Sequence, residues 1–332
     1  MAPNPHKAVD AGDQPALGVS DALSGRKIVI AYNPTAGASN RQQQVESLAR
    51  RFMAAGFETT ICADPAALVS AVAERAASND LRGVVAAGGD GTVAMAVNQL
   101  PLGVPMAIFP LGTENLLSRY LEHSADVNHL LELFERGRIV QLDAATANGR
   151  LFCLMAGIGF DAEVVRRTHA ARRGNITYLN YIKPILAALR NYSYPELQIS
   201  ILEPENMRTS LTSRWAFITN IPRYAGGLRF TPEALPHDGM LNACLFQRGG
   251  LWAGFTYLAG VLTGSHTRWR ETTLRQGSVI RVESREPVPY QLDGDPGGEL
   301  PLEIRCLPGR LRFLVSNAWL QRHRFPVSTG GL

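Results

Sequence analysis

Four times within the first 120 residues, an apolar run ends at a turn bearing glycine or proline and gives way to helical spacing. Residues 26–32 read as a buried strand, Asn33-Pro34-Thr35-Ala36-Gly37 as the stop, and residues 41–55 as a helix. The unit recurs as strand 58–63 with helix 65–77, strand 83–87 with helix 92–100, and strand 105–109 with a helix ending near Tyr120. Each strand is too short and too apolar to stand alone. The alternation therefore predicts an α/β N-terminal domain, a parallel sheet flanked by helices.

In such a sheet, ligands bind beyond the carboxyl ends of the strands. Three loops are expected there: residues 33–37, 88–92 and 111–115. In Gly88-Gly89-Asp90-Gly91-Thr92 the glycines let backbone N–H groups approach phosphate oxygens, and the helix that follows presents an anion-favouring N-terminus. Thr92 adds a hydroxyl. A carboxylate at Asp90 repels phosphate unless it organises a cation or accepts a proton. By itself this loop is equally well read as a tight strand-to-helix connection.

Beyond about residue 143 the rhythm changes to strands at 151–156, 196–202, 214–219, 239–246, 278–283, 290–292, 302–306 and 311–315. Helical stretches at 175–192 and 251–264 interrupt them. This predicts a β-rich, sandwich-like C-terminal domain. The expected division is a disordered tail at 1–25, an α/β domain at 26–143, a β-rich domain at 144–317, and a segment at 318–332 returning to the first domain. A net charge of +4 with pI near 9.0 permits anionic partners without choosing among them. Four scattered cysteines suggest neither a zinc site nor a disulfide framework, in keeping with a cytoplasmic location. Residues 251–262 are too short to span a bilayer, so any membrane contact is expected to be peripheral.

Asn33-Pro34-x-x-Gly37, Gly88-Gly89-Asp90-Gly91-Thr92 and Pro110-x-Gly112-Thr113-x-Asn115, in this order, resemble the catalytic domain shared by diacylglycerol and sphingosine kinases. In the second half, residues 156–162 resemble that family's glycine-rich strand end, and Asp238-Gly239-Met240-Leu241 its Asp-Gly-x-Leu segment. The resemblance implies ATP bound between the domains by Asn33, Pro34, Gly37, Gly88, Gly89, Asp90, Gly91, Thr92, Gly112, Thr113 and Asn115. It implies transfer of the γ-phosphoryl group to a lipid hydroxyl, with Mg2+ offsetting charge. Diacylglycerol is the leading acceptor, followed by sphingoid or ceramide-like lipids. It also implies a structural Mg2+ at Leu235, Asp238 and Met240, with an ordinary turn as the equal alternative. The implied partners are a lipid alcohol and the membrane surface, with no nucleic acid; a homodimer is compatible.

The family's general base is a glutamate in an Asp-Gly-Glu turn, whereas this sequence reads Asp293-Gly294-Asp295. The base position thus falls on Asp295, one methylene shorter, with Asp90 as competitor. Asp161 is a candidate for orienting the acceptor hydroxyl, or simply for capping a helix. Val93-Ala94 and Leu116 replace polar residues usual after the two nucleotide loops. A stripe at Tyr181, Ile182, Ile185, Leu186 and Leu189 suits either a membrane surface or a core. Arg166, Arg167, Arg172 and Arg173 suit either anionic headgroups or solvent. Two rivals stand beside the lipid kinase: an NAD kinase-like enzyme, and a catalytically idle nucleotide- or lipid-binding protein.

Overall fold

The structure, a computed structural model, describes residues 25–33, 40–170, 188, 192–323 and 325. Its N-terminal half contains β1 (Lys27–Tyr32), α1 (Asn40–Ala54), β2 (Glu58–Cys62), α2 (Pro65–Ala77), β3 (Leu81–Gly88), α3 (Asp90–Gln99), β4 (Pro105–Pro110), α4 (Leu116–Tyr120) and α5 (Val127–Arg136). The parallel pairings β2-β1-β3-β4 match the expected sheet. Ile28 and Ile30 of β1 pack with Leu48, Phe52 and Phe134 on one face, while Val29 and Ala31 pack with Leu68, Val72 and Val97 on the other. Burial on both faces explains why these strands are continuously apolar. Asp64 caps α2 by accepting the Ala67 N–H at 2.9 Å, with Pro65 supplying the preset first helical residue.

The C-terminal half contains β5 (Arg138–Ala147), β6 (Arg150–Phe152), β7 (Met155–Ile158), α6 (Phe160–Ala170), β8 (Leu197–Leu202), β9 (Arg208–Ser213), β10 (Trp215–Thr219) and β11 (Leu241–Phe246). It continues with α7 (Leu251–Thr263), β12 (Thr272–Gly277), β13 (Val279–Glu283), β14 (Pro289–Leu292), β15 (Asp295–Glu299), β16 (Leu302–Val315) and α8 (Asn317–His323). An antiparallel sheet β12-β11-β10-β7-β14-β15 faces the strands β16, β13, β8 and β9 across a core that includes Ile158, Ile199, Ile218, Leu241 and Ile280. This is the expected β-sandwich.

Sequence patterning predicts none of α5, β5, α6, β9, β12 and β15. Residues 302–315 form one strand rather than two. It pairs in parallel with β4 at Arg312 and Phe313, antiparallel with β13 at Leu302 to Arg305, and with β5 along its length. One sheet is therefore continuous through both halves, and Asp143 lies in the middle of β5 rather than at its end. The expected helix at 175–192 and its apolar stripe lie outside the described residues, apart from Ala188 and Tyr192. Arg166 and Arg167 both pair with Glu163, at 2.7 and 2.6 Å, while Arg172 and Arg173 lie outside the described residues.

His123 joins the two halves. Its Nδ1 accepts the Ile108 N–H of β4 at 3.1 Å, and its Nε2 donates to the Leu314 carbonyl of β16 at 2.7 Å. This arrangement fixes the neutral ring, and burial holds its pKa down at about 4. The folded value lies below the unfolded one, so the stabilisation is complete above pH 6.5 and is lost as pH falls towards 4. Over that window the loss is about 3 kcal/mol. Urea unfolding at stepped pH should show it, and a His123→Gln variant should show a correspondingly flatter profile.

Candidate active site

The strand ends bring two glycine loops into backbone contact. The Leu111 N–H donates to the Gly88 carbonyl at 3.0 Å, and a Cβ on Gly112 would lie only 2.5 Å from the Gly89 Cα. Asn115, in the left-handed region, closes the second loop on itself. Its Oδ1 accepts the Gly112 N–H at 3.0 Å, and its Nδ2 donates to the Gly112 carbonyl at 2.9 Å. A Cβ on Gly88 would collide with the buried Thr92 side chain. Gly91 differs: it is exposed at the start of α3, and a Cβ there would meet nothing within 4 Å. Thr113 is also exposed beside it. Asn33 is exposed at the end of β1, while Pro34 and Gly37 lie outside the described residues.

The Asp90 carboxylate turns onto the N-terminus of α4. Oδ2 accepts the Leu116 N–H at 3.1 Å and Oδ1 the Leu117 N–H at 3.3 Å. Burial raises its pKa, and these two donors work against that rise. Asp90 thus ties the first glycine loop to the helix that follows the second. The Leu116 amide, in the first turn of α4, has no acceptor within its own helix, which leaves it for Asp90 whatever side chain stands there.

Residues 291–296 form a two-residue hairpin, with Leu292 paired to Asp295 and both Asp293 (φ 52°) and Gly294 (φ 90°) in the left-handed region. The Asp293 carboxylate accepts the N–H groups of Cys153, Leu154 and Met155 at 2.8, 2.8 and 3.0 Å. Burial pushes its pKa up to about 6 against those donors, and the negative charge of Asp90 adds to the rise. The charge of Asp90 thus disfavours ionisation of Asp293, and a divalent cation close to the two would relieve it.

Asp295 opens β15. Its carboxylate sits 3.5 Å from the Arg150 guanidinium and 3.7 Å from His169 Nε2, with its side chain 45% exposed. Asp161, at the start of α6, is held by the Tyr224 hydroxyl at 2.8 Å and by Gln291 Nε2 at 2.9 Å. Gln291 also accepts the Gly294 N–H at 2.7 Å. A hydrogen-bonded chain therefore runs from Tyr224 through Asp161 and Gln291 to the turn before Asp295. Burial raises the Asp161 pKa, with both hydrogen bonds opposing the rise. Gly157 makes the chain possible, because a Cβ there would strike the Asp161 carboxylate. Tyr224 and Gln291 carried no recognisable sequence motif; only β7–β14 pairing and the loop after β10 bring them to Asp161.

In the middle of β5, Asp143 is fully buried and its carboxylate accepts the Gly239 and Gly309 N–H groups, both at 2.8 Å. Asp238 Oδ1 accepts the Met240 N–H at 2.9 Å, and Gln276 Nε2 donates to Oδ2 at 3.1 Å. Leu235 is exposed on the same turn. Burial raises the pKa of both aspartates, and the negative charge of Asp238 adds to the rise at Asp143. No cluster of three or more His, Cys, Asp or Glu side chains suited to a metal occurs among the described residues. A cation at this turn would rest on Asp238 and main-chain carbonyls, a hard-oxygen set that suits Mg2+.

Residues 27–147 match the diacylglycerol kinase catalytic domain, and residues 155–315 match the YegS C-terminal NAD kinase beta sandwich-like domain. A diacylglycerol kinase of Bacillus subtilis (strain 168) is 26% identical over 295 residues, covering 83% of this chain and 91% of the relative. A solved diacylglycerol kinase structure from Bacillus anthracis str. Sterne superposes with a TM-score of 0.62 at 18% identity, over 88% of this chain and 98% of that one. An NAD kinase from Archaeoglobus fulgidus solved with ATP gives 0.50 at 12% identity, over 89% and 96%, a likeness of fold alone. With the catalytic-domain match in front, carrying both interlocked glycine loops, and the sandwich match behind it, the chain belongs to the diacylglycerol kinase catalytic-domain family and is a lipid kinase.

Proposed function

We propose that the protein transfers the γ-phosphoryl group of ATP to the hydroxyl of a diacylglycerol-like lipid at a membrane surface, with Mg2+ as the counter-charge. The observation that carries this reading is the pair of interlocked glycine loops, with the Asp90 charge of the first loop acting on the buried Asp293 of the Asp-Gly turn. The 88–92 loop and Thr113 present backbone and hydroxyl donors to phosphates; Asn33, and with it Pro34 and Gly37 outside the described residues, are assigned to the nucleotide by the family resemblance. Asp90 holds the loops in register. Asp295 takes the proton of the attacking hydroxyl, and Asp161, fixed by Tyr224 and Gln291, orients the acceptor. Asp90 and Asp293 would share a Mg2+ that neutralises phosphate charge, and Asp238 with the carbonyls of Leu235 and Met240 would hold a second, structural one.

The test is incubation with labelled ATP, Mg2+ and a panel of diacylglycerol, sphingosine, ceramide and NAD. Labelled phosphatidic acid is the expected product. Labelled NADP without labelled lipid would overturn the acceptor class, a sphingoid product would change the acceptor, and no product at all would leave an idle binder.

A further inference from the structure

Helix α7 contains no charged residue and leaves an apolar face in solvent. Trp252 is 81% exposed and Leu262 66%, with Leu251, Phe255 and Leu258 each about two-fifths exposed between them. These positions recur at three- and four-residue spacing, so they form one stripe along the helix. The opposite face, with Tyr257, Gly260 and Val261, is buried, and a Cβ on Gly260 would collide with the Trp269 ring. The helix is thus clamped to the sandwich with its bulkiest side chains outward. Their exposed area is on the order of 500 Å², at the upper end for a single patch on a soluble monomer. It falls short of the roughly 800 Å² per partner that a stable dimer buries.

The rim is basic. Arg268 and Arg270 follow α7, and Arg223 and Arg229 lie on the adjoining 221–230 loop; all four are exposed, with no acidic partner among the described residues. That loop is tied to α7 through His266 in the turn after the helix, whose Nε2 lies 2.9 Å from the Phe230 carbonyl and whose Nδ1 lies 3.2 Å from the Gly260 carbonyl. The same loop reaches the cleft, since Tyr224 bonds Asp161 and the Gly226 N–H donates to Glu114. An apolar stripe with a basic rim, joined by one loop to the acceptor side of the cleft, has the chemistry of an interfacial helix on an anionic bilayer.

We infer that α7 is the surface by which the protein docks on an anionic lipid bilayer, inserting Trp252, Phe255, Leu258 and Leu262 while the arginines engage headgroup phosphates. This rests on the lipid-kinase reading of the cleft for its purpose, though not for its test. Binding to phosphatidylcholine vesicles with and without phosphatidylglycerol is measured by co-sedimentation. Wild type should partition onto the anionic vesicles with a blue shift of Trp252 emission, since Trp215 and Trp319 are buried and Trp269 is packed under Gly260. W252A/L262S should bind more than about tenfold more weakly with unchanged melting. R268Q/R270Q should lose most of the preference for anionic over neutral vesicles.

Phosphorylation of bilayer-embedded diacylglycerol should fall with W252A/L262S, whereas that of a water-soluble short-chain diacylglycerol should not. If the cleft reading fails, neither lipid is phosphorylated, yet the vesicle arm still decides the docking. Equal vesicle binding by W252A/L262S and wild type overturns the inference. So does a dimer seen by light scattering that this variant dissociates, because the face would then be covered by a second copy.

Discussion

Replacing Asp295 by Asn should cut turnover by about 10²- to 10⁴-fold while leaving the affinity for ATP within a factor of about three. The neighbours of Asp295 do not lock it: Arg150 and His169 stand at 3.5 and 3.7 Å, beyond good hydrogen-bond length, on a side chain 45% exposed. Such pairs contribute about 0–1 kcal/mol and are screened by salt, so the carboxylate is free to swing towards an incoming hydroxyl. The Asp293-Gly294 turn that aims it is held far more firmly, by three backbone donors on Asp293 and by Gln291 on the Gly294 amide. Asp295→Glu lengthens the reach by one methylene and should keep activity within about tenfold of wild type. Steady-state kinetics with saturating lipid distinguishes these outcomes; wild-type turnover in the Asn variant would remove Asp295 from the proton transfer.

The second large effect concerns the glycine loops. Gly112→Val should weaken ATP binding by at least about a hundredfold, because the new Cβ would sit 2.5 Å from both the Gly89 Cα and the Asn115 Oδ1. Neither neighbour can yield, since Asn115 is bonded twice to Gly112 itself and Gly89 begins α3. The loops must part, and the phosphate-facing amides part with them. Gly91→Ala is the informative contrast. Nothing in the protein occupies the space a Cβ would take there, and alanine favours a helix over glycine by about 1 kcal/mol. Thermal melting should therefore rise slightly for Gly91→Ala while ATP affinity falls, because only a ligand needs that space. Calorimetric titration with ATP and a melting curve on each variant suffice. A Gly91→Ala protein that binds ATP like wild type would move the phosphates away from this loop.

The fold was partly legible because its first half is written in local terms. Period and turn residues predict β1 to β4 and the helices between them. Residues 138–147 were missed as a strand because Arg138, Gln141 and Asp143 interrupt the apolar pattern. Asp143 is buried there only because the distant Gly239 and Gly309 amides meet it. Likewise Pro308-Gly309 reads as a turn splitting two strands, yet β16 bulges through it, with its register against β5 shifting between Leu307 and Leu311. α5 escaped notice although Asp126 caps it by accepting the Asn128 N–H at 2.9 Å.

By itself the sequence determined the glycine loops, the Asp-Gly turn and the chemistry they suit, because turn geometry and phosphate approach depend on a few adjacent residues. Tertiary structure decided what each polar group touches. It turned Asp90 onto α4, assembled Tyr224, Asp161 and Gln291 from three separated segments, and chose which face of α7 stays in solvent. These are long-range choices: a carboxylate buried against amides far away in the chain, or a leucine left outside, obeys the packing of the whole molecule and leaves no local pattern to read.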